Sequence, residues 1–162
     1  MPGRQRLSRA RRAAVPVLLG LAAVALVPGC AGPVQVTAAP EGSSDACADV
    51  LALLPAELAG QPERETRGAG TAAWGDPAVL LRCGEEPVLA STQPCVSVPG
   101  GGEDVDWVVL ASDDSGSIVR TFGRDPSVEV EVPATYGPAP VAVLPDLAEA
   151  VAAVPATAVC TG

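Results

Sequence analysis

Few residue types in this chain could carry chemistry. It has no histidine, lysine or asparagine, so the usual general base near neutral pH and the usual amine nucleophile are both missing. Ser91, Ser97, Ser112, Ser115 and Ser117 have no sequence neighbour that would activate a hydroxyl. What remains is five cysteines, nineteen carboxylates and ten arginines. Two carboxylates could act as acid and base on a glycan, but most of the nineteen fall in turns or on alternating strand faces, where they serve solubility. Glu103, Asp104 and Asp106, or Asp113 and Asp114, offer oxygen ligands to Ca²⁺. Neither set has a cation-loop spacing, so no metal and no cofactor is expected.

The arginines are more informative. Five of the ten, Arg4, Arg6, Arg9, Arg11 and Arg12, crowd the start of the chain, and all nineteen acids lie beyond Cys30. From Cys30 onward, five arginines against nineteen carboxylates leave a net charge of −14. A body so acidic repels nucleic acid and anionic headgroups. Arg82 and Arg120 stand inside otherwise apolar strands and must find a carboxylate or water. One reading is a structural ion pair. The sharper one is that Trp74, Arg82 and Arg124 form a binding patch for an anionic group, with Trp74 brought near the surface by a turn, since arginine grips carboxylates bidentately.

The cysteines divide one and four. After the arginine-rich start, an apolar run over Ala13–Val27 is short for a spanning helix and ends in Leu26-Val27-Pro28-Gly29-Cys30. That ending resembles a bacterial lipobox, whose cysteine becomes the acylated first residue of the mature protein. The expected organisation is a signal peptide over 1–29, a flexible tether over 30–44 and one domain over 45–162. Lipidated Cys30 would hold that domain on the outer side of the membrane; the alternative is simple secretion, with cleavage after Val36-Thr37-Ala38. Either route leaves Cys47, Cys83, Cys95 and Cys160 in an oxidising compartment, where two disulfides are expected. Cys83–Cys95 would close a strand–loop–strand segment, leaving Cys47–Cys160 to tie the first helix to the end of the last.

The elements that position these residues follow from periodicity. Cys47, Val50, Leu51, Leu54 and Leu58 mark one helical face behind an N-cap at Ser44 or Asp45, with Pro55 ending or kinking it. Gln61–Gly70 reads as a loop. Thr71–Trp74 and 78–83 read as strands around the turn Gly75-Asp76-Pro77, the second with Val79, Leu81 and Cys83 on one face. Val88–Ala90 and Cys95–Val98 are weaker strands. Asp106–Ala111 and Ser117–Phe122 flank the turn Ser112–Gly116 as a hairpin. Val128-Glu129-Val130-Glu131-Val132 alternates valines toward a core and glutamates toward water. A last helix from about Pro145 carries Leu144, Leu147, Ala148 and Val151. Helix, strands, helix predicts an α+β domain: a mostly antiparallel sheet covered by an N-terminal and a C-terminal helix.

Ala73-Trp74-Gly75-Asp76-Pro77 with Leu81-Arg82-Cys83-Gly84 resembles DUF3515, a family of exported actinobacterial proteins without an assigned activity. Cys95, Asp106-Trp107 and Phe122-Gly123-Arg124-Asp125-Pro126 before Val128-Glu129-Val130 continue the likeness, with Phe122 where the family carries tyrosine. The resemblance spans roughly residues 45–160 and implies an envelope protein of Gram-positive actinobacteria. Together these readings anticipate a membrane-anchored extracytoplasmic lipoprotein that is a non-catalytic module binding an envelope protein or wall component. A wall hydrolase using a carboxylate pair and a purely structural lipoprotein are the alternatives.

Overall fold

The computed structural model describes residues 32–100, 102–137 and 142–161; the expected signal peptide over 1–29 and Cys30 lie outside them. Among the described residues ten strands form: β1 Val34–Gln35, β2 Glu57–Leu58, β3 Gln61–Arg64, β4 Thr66–Arg67, β5 Thr71–Trp74, β6 Val79–Glu85, β7 Cys95–Val98, β8 Val105–Asp113, β9 Gly116–Thr121 and β10 Ser127–Pro133. Eight of them make one sheet in the order β2-β3-β5-β6-β10-β9-β8-β7, every neighbouring pair antiparallel. β1 and β4 pair separately, in parallel. With α1 (Asp45–Ala52) and α2 (Leu144–Val151) this is an α+β architecture, a mostly antiparallel sheet with two helices.

The alternation seen in the sequence sets the sheet's two faces. Val79, Leu81 and Cys83 of β6, Val128, Val130 and Val132 of β10, and Trp107 of β8 enter one core with Cys47 and Val50 of α1 and Leu144, Leu147 and Val151 of α2. Ser44 caps α1, its hydroxyl accepting from the Cys47 amide at 3.3 Å. Pro145 stands in the first turn of α2. On the other sheet face lie the residues between those valines: Leu80, Arg82, Glu129, Ile118, Arg120 and Val108.

Three expectations are corrected. Gln61–Gly70 is not a plain loop: β3 pairs Glu63 with Trp74 and Arg64 with Ala73, extending the sheet past β5. Residues 32–44 do not hang free either. The Val34 and Val36 amides donate to Glu65 and Arg67 carbonyls, the Glu41 amide donates to Gly84, and Val36 and Ala39 are buried. Gly84 (φ +105) permits this close crossing, since a Cβ there would collide with the Gly42 backbone.

The third correction is the disulfide pairing. Cys47 is bonded to Cys83 and Cys95 to Cys160, with Cα–Cα separations of 5.5 and 6.5 Å, in place of Cys83–Cys95 and Cys47–Cys160. The cause is which way each strand residue faces. Cys83 completes the inward row of β6 and meets the buried Cys47 of α1. Cys95 registers with Val108, on the opposite face of the sheet, where Cys83 cannot reach it. The bonded residues are 36 and 65 apart in sequence, for which the chain-entropy relation gives about 4 kcal/mol each.

Candidate functional site

The sheet face opposite the valine core carries two features, a groove and an ion cluster. The groove, of about 890 Å³, is floored by Cys95 and Ser97 of β7, Asp106 and Val108 of β8, and Phe122 just after β9. One wall is the segment before β7, with Leu89, Ala90, Ser91 and Gln93; another is the chain after α2, with Ala156, Val159, Cys160 and Thr161. Glu103 and Asp104, entering β8, close one end.

Specific bonds hold these walls. The Val88 carbonyl accepts from the Gly123 amide at 2.8 Å, which starts the first wall beside Phe122. The Thr157 amide and hydroxyl both donate to the Gly123 carbonyl, at 2.7 and 2.9 Å. The Cys160 amide donates to Asp106 Oδ2 at 2.7 Å, and the Cys95–Cys160 bond pins the tail to β7. The Cys95 and Cys160 sulfurs and an Asp106 oxygen lie within 4.8 Å of one another. With both sulfurs in the disulfide, they offer no thiolate to a metal.

Arg124 is the hidden support of this end. Its side chain is fully buried; it donates to the Val154 carbonyl and, at 3.4 Å, to the Asp104 carbonyl, and Nη2 lies 2.8 Å from Glu103 Oε1. It therefore ties the exit of α2 to the entrance of β8, at the cost of a buried Nε without a partner among the described residues.

The ion cluster lies farther along the same face. Glu129, on the alternation expected to face water, is only 4 % exposed. Its neighbours across the ladder are Arg82 on β6 and Arg120 on β9. Both guanidinium groups donate to its carboxylate, Arg120 Nε at 3.1 Å, and both reach Glu85, at 3.5 and 3.4 Å. Burial works against the Arg82 charge, but the hydrogen bond to Glu129 and the fields of Glu129, Glu85 and Glu131 outweigh it and hold its pKa above the ordinary value.

These positions dissolve the expected patch of Trp74, Arg82 and Arg124. Trp74 is fully buried, its indole N–H donating to the Pro55 carbonyl at 2.9 Å. Arg82 belongs to the Glu129 cluster and Arg124 to the Val154–Glu103 clamp, and the two partner sets share no residue. Each arginine takes the ion-pair role. The groove itself was invisible to sequence reasoning, because its walls come from four separated segments; the one signal was Cys95 and Cys160, which could have been paired with each other.

The chain belongs to the DUF3515 family, described as proteins of unknown function, whose family model matches residues 12–159. No curated protein and no solved structure matches it. Among the described residues, no helix is long and apolar enough to cross a membrane.

Proposed function

We propose that the protein is an extracytoplasmic lipoprotein of the actinobacterial envelope, anchored through acylated Cys30, that acts as a non-catalytic binding module and uses the groove to hold an envelope protein or wall component. The Cys95–Cys160 bond carries the reading. Cys95 is exposed and Cys160 half-buried, in contrast to the fully buried Cys47–Cys83 pair. A disulfide in contact with solvent persists outside the reducing cytosol, and this one forms part of the groove. Compartment and binding site thus rest on the same bond. With all four later cysteines paired, Cys30 is the cysteine left for acylation.

The groove's carboxylates suit binding better than hydrolysis. A glycosidase needs two working carboxyl groups across its cleft, whereas Glu103 is held by Arg124 and Asp106 by the Cys160 amide, which leaves Asp104 as the one lining carboxylate without a partner among the described residues. Membrane fractionation of the wild type beside Cys30→Ala tests the anchor. The wild type is expected in the membrane fraction and the variant in the medium; equal release of both would establish secretion instead.

A further inference from the structure

The groove's composition names a class of occupant. Its lips are apolar: Leu89 is 58 % exposed and Val159 66 %, two of the three large apolar side chains left in water among the described residues. Single exposed apolar side chains are ordinary, but two on one concavity floored by Val108 and Phe122 mark a contact surface. Its charge has one sign, with Glu103, Asp104 and Asp106 in the lining and no base. Arg124 compensates Glu103, and neither of the other two has a basic partner within 4.0 Å among the described residues. Finally, β7 ends the sheet and, among the described residues, pairs only with β8, with its Cys95 and Ser97 side chains lining the groove. An edge strand recruits extended chain through backbone hydrogen bonds.

From these features, and resting on the reading of the groove as a binding site, we infer that the occupant is an extended polypeptide segment of a partner protein, presenting aliphatic side chains together with lysine or arginine. The aliphatic groups lie among Leu89, Phe122 and Val159. The cation meets Asp104 and Asp106, and the uncharged Ser91, Gln93 and Ser97 are left to satisfy the segment's amides. The charge match sets the choice of partner and the rate of encounter, while the apolar contacts hold the complex.

The test uses the full chain in dilute non-ionic detergent and the fluorescent heptapeptide Leu-Thr-Lys-Thr-Leu-Thr-Lys, whose apolar and basic residues share one strand face. Fluorescence anisotropy should show it binding at least tenfold more tightly than the peptides with glutamate for lysine or serine for leucine. Asp104→Lys and Val159→Ser should each weaken it about fivefold or more, and Leu53→Ser, at an exposed site outside the groove, should leave it unchanged. Equal binding of the glutamate peptide, or equal loss with Leu53→Ser, would overturn the assignment. So would displacement of bound peptide by peptidoglycan fragments but not by excess unlabelled peptide. If a photo-crosslinker at Leu89 captures a discrete partner in cells while the peptides show no discrimination, the ligand class falls and the groove reading stands. If neither occurs, both fall.

Discussion

Changing Glu129 to glutamine alters one atom and removes the charge on which two arginines converge. Glu129 is 4 % exposed and receives both Arg82 and Arg120. The amide of Glu129→Gln keeps one acceptor and turns a donor toward a guanidinium, so one arginine loses its partner at close range. Removing one member of a fully buried ion pair costs about 3–5 kcal/mol. Here the arginine side chains retain Glu85 and are 33 % and 21 % exposed, so water takes up part of the loss. About 2 kcal/mol is the resulting expectation. Arg82→Gln leaves Glu129 still held by Arg120 and should cost nearer 1 kcal/mol. In urea unfolding, where a domain of this size has a slope of about 2 kcal/mol per molar, Glu129→Gln should lower the midpoint by about 1 M and Arg82→Gln by about half that. A midpoint for Glu129→Gln within about 0.2 M of the wild type, or a larger loss for Arg82→Gln, would refute this account of the Glu129 cluster.

Limited treatment with a phosphine reductant, followed by alkylation and peptide mapping, should label Cys95 and Cys160 before Cys47 and Cys83, since only the former pair meets solvent; the reverse order would contradict the burial assigned to the two bonds. The single tyrosine, Tyr136, should ionise above its ordinary value of 10.0, because burial and the negative Asp76 both oppose tyrosinate. Its folded pKa then exceeds the unfolded one, so its contribution to stability is complete below the unfolded value and is lost as pH rises through the folded one. Absorbance titration of folded and denatured protein checks this, and a folded midpoint below the denatured one would reverse the sign.

What could be read from the sequence was what local pattern determines. Val128–Val132 alternates cleanly, and the structure builds the body of β10 there; Thr71–Trp74, the short stretch before the turn Gly75-Asp76-Pro77, is β5. The helical stripe of Leu144, Leu147, Ala148 and Val151 is fully buried on α2. β3 escaped because Gln61-Pro62-Glu63-Arg64 has no alternation of its own and is a strand only through pairing with β2 and β5. Glu129 was misplaced for a related reason. Alternation says which face a residue takes, but only register shows that arginines stand on both sides of it. The cysteine pairing is not legible from closeness along the chain, because face decides it: Cys83 and Cys95 are near in sequence and point to opposite sides of the sheet. The groove needs segments before β7, before β8, after β9 and after α2 together, and no window of sequence contains them.

In the proposed reading, the groove is where this protein meets its partner. The most direct measurement places a photo-crosslinking amino acid at Leu89, on the groove's lip, and separately at Leu53, exposed at the end of α1, in living cells. Irradiation should yield a discrete crosslinked species from Leu89 that is absent from Leu53 and is lost in Asp104→Lys. Identical products from both positions, or none from Leu89, would contradict it.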